Sequence, residues 1–293
     1  MFLSFYALQL QAAAILFLVV LIFGSSGEKA FAHGAYHDLV RELEDELAQS
    51  PDKLEHRLLL AAAHVEHGEW EASLHEIEHL TRLAPGVYET RLLSGKALAA
   101  AGLLDLSIRE FDAFLGTLPG DQSALVERAR VRLRLGQTDA GCADYLAAIA
   151  TPAKVEIYVE ASEALRRLGR YEEALHCAET GRKISRGDPS VLLCVMECAK
   201  ELGRVDTVVG TLEELRRVWP RPEIWMQQKA EYLAKEGRQE ESRAAWKELY
   251  GHLMSLPNLE RAEPFLAEPF DASRRALSLQ APAAVVAPPA AEN

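Results

Sequence analysis

Histidines are concentrated near the amino end of the chain, where imidazole nitrogens could bind a metal ion. Seven of the nine histidines precede position 80. His75 and His79 are four residues apart, so a helix would place both on one face. If the chain were cleaved after Ala32, His33 would become a free amino terminus close to His37, and an amine combined with imidazole can chelate copper. These four histidines form a candidate site for copper or zinc.

A simpler interpretation of the histidines competes with the metal site. Residues His75 to His79 have the H-E-x-x-H spacing, but a zinc site of that type needs a third ligand, which this spacing does not supply. His64 and His67 are three residues apart and would share a face of the preceding helix. The histidines are then exposed and half-buried side chains of an ordinary helical segment, and we favour this interpretation.

The four cysteines do not follow a zinc-binding pattern. No C-x-x-C pair occurs among Cys142, Cys177, Cys194 and Cys198. Cys194 and Cys198 are four residues apart and would share a helix face, where they could act as a redox or metal-binding pair. Free cysteine is more often a small buried residue, so we favour a place in the core for this pair.

The common motifs for a serine nucleophile, for phosphate binding and for dinucleotide binding do not occur in the sequence. It contains no G-x-S-x-G nucleophile motif, no P-loop and no dinucleotide-binding glycine fingerprint. We therefore expect a protein that is not an enzyme and that needs no cofactor.

The chain has 44 acidic and 32 basic residues, which gives a formal net charge of -12. This charge argues against nucleic acid as a partner, because phosphates require a basic surface.

Residues 1–32 have the pattern of an export signal. The stretch from Leu3 to Phe23 is mostly apolar, and Ala30-Phe31-Ala32 supplies a small-x-small cleavage site, although no Lys or Arg precedes the apolar stretch. A bilayer is spanned by roughly 20 apolar residues, so a membrane anchor at residues 3–23 is the alternative to cleavage. Either version places the folded part outside the cytoplasm, in the periplasm or anchored to a membrane and facing the periplasm or the exterior.

The elements that must position all these residues recur along the chain. Glycines are spaced by 34, 34, 33, 34 and 34 residues, at Gly68, Gly102, Gly136, Gly169, Gly203 and Gly237. A small residue usually stands seven positions before and five positions after each glycine, and a bulky residue usually stands two positions after it. Proline often follows sixteen or seventeen positions later. Such self-similarity indicates a repeat protein.

Each repeat predicts two helices joined by the glycine. Val155 to Leu168 and Tyr171 to Ile184 both carry apolar residues at helical spacing, and Gly169-Arg170 separates them. Glycine allows the left-handed backbone that ends the first helix, and small residues let the two helices approach closely. Proline ends the second helix. One such hairpin cannot bury its own apolar face, so neighbouring hairpins must stack.

These glycines, small residues, bulky residues and prolines resemble the tetratricopeptide repeat over about Leu54 to Leu256. Individual repeats depart from the pattern: Thr138 replaces a bulky residue, and Arg186 and Met254 stand where proline is expected. The resemblance implies an all-α, right-handed α-solenoid of six helix–turn–helix repeats that binds a protein or peptide. With its export signal, the chain is similar to exported or membrane-anchored bacterial members of this family.

The resemblance also implies where a partner binds. In the family, residues six, three and two positions before each turn glycine are exposed in a concave groove. The charged residues at these positions in the middle repeats include Lys96, Arg130, Arg134, Glu163, Arg166, Arg167, Glu197 and Lys200. Because Arg pairs with carboxylates, these cations predict a groove for an acidic peptide segment, and a solvated face with compensating glutamates is the alternative. The asparagines with which some family members clamp a peptide carboxylate are missing.

The flanks complete the predicted organisation. An amphipathic helix over Tyr36–Ala48 would cap the first repeat, and Phe265, Leu266 and Phe270 would pack on the last repeat. The resulting division is a signal peptide or anchor (1–32), a capping helix (33–53), six repeats (54–87, 88–121, 122–154, 155–188, 189–222 and 223–256), a carboxy-terminal cap (257–280) and a disordered tail rich in Ala and Pro (281–293).

Overall fold

The computed structural model describes residues 29–278, so the predicted tail and nearly all of the predicted signal or anchor lie outside the described residues. Within residues 29–278 the chain forms helices and no β-strand. The α-helices are α1 (Lys29–Gln49), α2 (Leu54–His67), α3 (Trp70–Leu83), α4 (Glu89–Ala100), α5 (Leu104–Thr117), α6 (Gln122–Arg134), α7 (Thr138–Ala148), α8 (Val155–Arg167), α9 (Tyr171–Ser185), α10 (Pro189–Glu201), α11 (Val205–Val218), α12 (Glu223–Lys235), α13 (Gln239–Ser255), α14 (Asn258–Arg261) and α15 (Ala267–Ala276). A 3-10 helix, Pro264–Leu266, lies between α14 and α15.

The helices from α2 to α13 pack as six consecutive hairpins, each made of a first and a second helix. The predicted all-α fold of six helix–turn–helix repeats is therefore confirmed. The hairpins belong to two compact units that divide between Ala153 and Lys154. The amino-terminal unit contains α1 and the first three hairpins. The carboxy-terminal unit contains the last three hairpins, α14 and α15.

Each hairpin turns at one of the six repeated glycines, as predicted. All six glycines have positive φ, from 63° at Gly203 to 90° at Gly68. In every turn the residue after the glycine donates its N–H to the carbonyl five positions earlier, as Glu69 does to His64 over 2.8 Å. This bond satisfies a carbonyl at the end of the first helix, and the left-handed backbone that it needs is least costly for glycine.

The small residues predicted at fixed positions lie where the two helices of a hairpin cross. In three hairpins a serine of the second helix donates its hydroxyl to a carbonyl of the first helix: Ser73 to Ala61 (2.9 Å), Ser107 to Gly95 (2.7 Å) and Ser242 to Ala230 (2.7 Å). The fourth hairpin reverses the pair, because Ser162 of the first helix donates to the Ala174 carbonyl over 2.9 Å. The small residues thus permit close packing, and the serines also join the helices.

The two positions that lack the expected proline end their helices differently. Arg186 follows α9 in a left-handed conformation with φ 51°, and Gly187 continues the turn with φ 98°. The next helix then begins with Pro189 at its first position, where a missing N–H costs nothing. In the sixth repeat α13 continues through Met254 to Ser255, and Pro257 follows it.

Capping helices flank the six hairpins. Leu43 and Leu47 of α1 pack with Leu60 of α2 in one buried cluster. At the other end Leu266 is buried and Phe270 partly buried against the core of the last hairpin. The prediction that Phe265 also packs there was wrong. Its side chain is 46% exposed, and the Arg221 guanidinium lies 4.0 Å above the ring centroid, so the aromatic face contacts a cation instead of the core.

Candidate functional site

The first helices of neighbouring hairpins contact each other within each unit. In the amino-terminal unit α2 packs beside α4 and α4 beside α6, and in the carboxy-terminal unit α8 packs beside α10. Second helices instead pack against the first helix of the following hairpin within a unit. The first helices of each unit therefore present a shared face, and all eight predicted groove residues stand on these helices.

A cleft of about 270 Å³ opens on this face of the amino-terminal unit. We call it the first-helix cleft. Its lining residues come from α2, α4 and α6: Val65, Glu66, Lys96, Ala99, Ala100, Glu127 and Arg134. The cleft thus brings two predicted groove residues, Lys96 and Arg134, together with two carboxylates.

The charged side chains of the first-helix cleft largely compensate one another. The Lys96 ammonium lies 2.8 Å from a Glu66 carboxylate oxygen, and Glu127 lies 2.9 Å from Arg130, which is not one of the lining residues. Arg134 instead donates to the backbone carbonyl of Ala99 over 2.9 Å. Ion pairs of this partly exposed kind contribute about 0–1 kcal/mol each to stability, so a ligand could displace them at modest cost.

The predicted groove residues of the carboxy-terminal unit also form pairs. Glu163 lies 3.8 Å from Arg167 on α8, and Glu197 lies 2.9 Å from Lys200 on α10. Arg166 is half-buried and forms no ion pair with the described part of the chain. The structure therefore shows the compensating glutamates that the sequence left as an alternative, together with two arginines, Arg134 and Arg166, that keep no acidic partner among residues 29–278.

Glu66 is a cleft residue that sequence analysis missed, although a signal for it existed. It stands two positions before Gly68, which is one of the groove positions implied by the family resemblance. The same spacing, extended from the middle repeats to the first repeat, identifies this residue. Glu127 stands at none of these positions, so only the packing of α6 against α4 places it in the cleft.

The cysteines occupy the core, as the favoured interpretation predicts. All four are buried, and none forms a disulfide among the described residues. Burial, followed by the nearby Glu163 carboxylate, raises the pKa of Cys194 to about 12, and burial also raises the pKa of Cys198. A thiol acts as a nucleophile or metal ligand after it loses its proton, so these shifts argue against redox or metal chemistry.

The histidine-rich end contains a ring cluster instead of a metal site. Tyr36 of α1 stacks on His67 with 3.6 Å between ring centroids, and its hydroxyl lies 2.9 Å from Nδ1 of His64. The His75 and His79 rings meet edge to face at 5.1 Å. Among the described side chains, those of residues 34–278, no group of three or more His, Cys, Asp or Glu could hold a metal ion.

The copper or zinc alternative therefore has no support in this geometry. His37 is exposed on α1, beside the Tyr36 ring. The side chain of His33 lies outside the part of the chain whose side chains the structure describes. A metal site that combines His33 with the amino terminus stays an untested prediction.

A buried ion-pair network in the amino-terminal unit was not predicted. Asp144 of α7 is buried and accepts hydrogen bonds of 2.7 to 2.9 Å from Arg128 and Arg132 of α6. Arg128 also donates to Asp112 of α5 over 2.6 Å. A buried carboxylate requires such partners. The network therefore joins α5, α6 and α7. No sequence pattern identifies it, because tertiary packing brings its members together.

The described residues do not include the predicted membrane anchor. Over residues 29–278, none of the helices combines the length and the apolar character that crossing a membrane requires. The apolar stretch at residues 3–23 lies outside the described residues.

The fold defines a class of protein, the α-helical repeat protein, and comparison with solved structures gives the same fold. The chain is similar to YrrB, described as a TPR protein with an unusual peptide-binding site, with a TM-score of 0.50, 11% identity, and coverage of 60% of this chain and 91% of that chain. It is also similar to a tetratricopeptide repeat protein from Parabacteroides merdae, with a TM-score of 0.50, 17% identity, and coverage of 77% and 93%. No family model matches the sequence, and no curated protein matches it significantly. The fold is thus that of tetratricopeptide repeat proteins.

Proposed function

We propose that this chain is a protein- or peptide-binding scaffold that uses the first-helix faces of its two units. The observation that carries the proposal is the first-helix cleft, where backbone, apolar and charged groups from three helices converge on one open site. Helical repeats of this kind display an array of side chains on a rigid surface. The similarity to YrrB, whose description includes a peptide-binding site, supports this use of the fold.

An acidic segment of the partner is the ligand that the charges favour. Arg134 and Arg166 have no acidic partner among residues 29–278, and a guanidinium binds a carboxylate with two parallel hydrogen bonds. Lys96 and Arg130 are already paired, so a partner carboxylate would have to displace Glu66 or Glu127. We therefore expect Arg134 and Arg166 to contribute more to binding than the paired cations.

A photo-crosslinking residue placed at Ala100 tests the cleft directly. Ala100 is exposed and lines the cleft, so crosslinking in a native extract should capture the partner for identification by mass spectrometry. The same residue placed at Arg243, which is exposed on the second helix α13, is the control. Equal products at both positions, or none at Ala100, would remove the cleft from the proposal.

Charge-matched variants then test the arginines. Arg134→Ala with Arg166→Ala should weaken capture of the crosslinked partner by at least tenfold, since hydrogen bonds to charged groups contribute about 1.5–3 kcal/mol. Arg243→Ala with Lys247→Ala removes the same charge from exposed positions of α13 and should leave capture unchanged. Circular dichroism checks that both variants keep their helices. Equal capture by the two variants would show that the groove arginines do not bind the partner.

We also propose that the chain works outside the cytoplasm, in the periplasm or anchored to a membrane. The apolar stretch from Leu3 to Phe23 and the small-x-small triplet that ends at Ala32 support this location. Mass spectrometry of the mature amino terminus in fractionated cells distinguishes the versions. A start at His33 in the exported fraction indicates cleavage, an intact chain in membranes indicates an anchor, and an intact soluble chain in the cytoplasm would contradict both.

A further inference from the structure

Exposed apolar side chains lie along one edge of the carboxy-terminal unit. Two of them end second helices, one follows α11, one lies in the first turn of α12 and one lies in the 3-10 helix of the carboxy-terminal cap. Each is between 39% and 52% exposed, and together we call them the apolar strip: Ile184, Val218, Trp219, Ile224 and Phe265. Trp219 and Phe265 are the two exposed Trp or Phe side chains in the described part of the chain.

Three contacts show which parts of this edge are neighbours. Gly187, which follows Ile184 in the turn after α9, lies against Val218, since a Cβ built on it would stand 3.4 Å from Val218 Cγ1. The Trp219 ring meets the ring of the buried Trp225 edge to face, with 5.4 Å between centroids. Two residues further on, Arg221 covers Phe265. These contacts place the turn after α9 beside the end of α11, and the turn after α11 beside the carboxy-terminal cap.

Basic side chains without acidic partners accompany the apolar strip. Lys183, Arg186, Arg217 and Arg221 are exposed, and the described residues offer none of them an ion pair. Their neighbours in sequence behave differently, because Arg182 binds Glu214 and Arg216 binds Glu248. We call the four unpaired residues the basic edge.

Few acidic groups accompany the basic edge. Asp188 caps α10 and accepts the Ser190 N–H over 2.8 Å. Glu223 is buried and lies 2.8 Å from His252. Glu263 remains exposed beside Phe265. In a chain with a formal net charge of -12, this edge is locally cationic.

We propose that the apolar strip and the basic edge rest on the surface of an anionic lipid bilayer. Tryptophan and phenylalanine enter the interface between headgroups and acyl chains, while Lys and Arg place their charges among lipid phosphates. The combination of both residue types on one edge matches this partner. The acidic remainder of the chain would be repelled by the same surface, which favours contact through this edge.

Tryptophan quenching by bromine-labelled acyl chains tests the contact on the full chain. Residues 1–28 contain an apolar stretch of their own, so vesicle binding by itself is not the measurement. Trp219 is the exposed tryptophan, whereas Trp225 and Trp246 are buried and Trp70 is half-buried. We expect quenching on vesicles of equal phosphatidylcholine and phosphatidylglycerol, much less on phosphatidylcholine alone, and its loss in Trp219→Phe.

Charge variants separate the edge from other surfaces. Each cation near an anionic surface strengthens partitioning about fivefold, so Arg186→Gln with Arg217→Gln should lower the partition coefficient from quenching about 25-fold. Arg243→Gln with Lys247→Gln is the matched control and should lower it much less. Equal quenching on both vesicle types, or quenching that persists in Trp219→Phe, would overturn the proposal. So would self-association in sedimentation equilibrium that Trp219→Phe abolishes, because the strip would then bind a second copy.

Discussion

Single residues decide how closely the helices of a hairpin approach. Gly95 of α4 faces Phe111 of α5, and a Cβ at this position would lie 2.5 Å from the nearest ring carbon. Phe111 is fully buried, so its ring has little room to move. Gly210 of α11 offers a contrast, because it is exposed within its helix and nothing lies within 4 Å of a Cβ there.

These two glycines should respond to alanine in opposite directions. Gly95→Ala overpacks the hairpin and should lower the free energy of unfolding by about 1–3 kcal/mol. Gly210→Ala improves helix propensity without a clash and should raise it by about 1 kcal/mol. Urea unfolding followed by circular dichroism measures both changes. A shift of the same sign in both variants would contradict the close packing at Gly95.

At the scale of elements, α1 is held against α2 by a contact that depends on protonation. Burial, the largest effect, lowers the pKa of His64 below its ordinary value of 6.5, and His67 acts in the same direction. The carboxylates of Glu76, Glu44 and Glu69 oppose this shift without reversing it. A neutral imidazole can accept the hydrogen bond from the Tyr36 hydroxyl at Nδ1, whereas a protonated one cannot.

The docking of α1 should therefore weaken in acid. The unfolded chain protonates His64 more readily than the folded chain, so its contribution is complete above pH 6.5 and is lost as the pH falls from 6.5 towards the lowered value. Because the intrinsic exchange rate of amides itself falls with pH, the measurement is the protection factor. Protection of α1 should decrease over this range, and His64→Gln should remove that part of the pH dependence. His176→Gln, at an exposed position of α9, is the control. An identical pH profile in wild type and His64→Gln would exclude this role for His64.

At the scale of the whole molecule, the chain consists of two compact units with mostly local contacts. Each helix packs chiefly against the helices next to it in sequence, and the units divide between Ala153 and Lys154. Repeat proteins obtain their stability from single repeats and from interfaces between neighbours. Three stacked repeats in each unit should suffice for independent folding.

Fragments 29–153 and 154–278 should accordingly fold when they are produced separately. Each fragment should show a helical circular dichroism spectrum and a cooperative thermal transition, because its hairpins keep their neighbours. A fragment that ends inside a hairpin, such as 29–137, removes α7 from its partner α6 and should be less stable than 29–153. An unfolded 29–153 or 154–278 fragment would show that the two units do not fold independently.

The sequence by itself was sufficient to predict the helical hairpins and the positions of their turns. The spacing of Gly68, Gly102 and their four counterparts predicts where the backbone turns, because a left-handed residue at the end of a helix is a local requirement. The small residues near each glycine predict where the two helices cross. This prediction is also local, because the small residues of one repeat lie in the two helices of one hairpin. The residues predicted for the groove all stand on first helices, and their use as a groove stays a prediction.

Only the tertiary structure decided which charges are available. Lys96 pairs with Glu66, which is thirty residues earlier in the sequence. Arg128 of α6 forms an ion pair with Asp144 of α7. Such pairs depend on the distance between side chains of different helices, and a repeat period does not contain this distance. The same holds for the apolar strip, where Arg221 meets Phe265 only after the repeats are stacked. Helix ends and turns depend on residues that are close in sequence, so the sequence predicts them. Contacts between side chains of different helices depend on how the helices pack, so only the tertiary structure shows them.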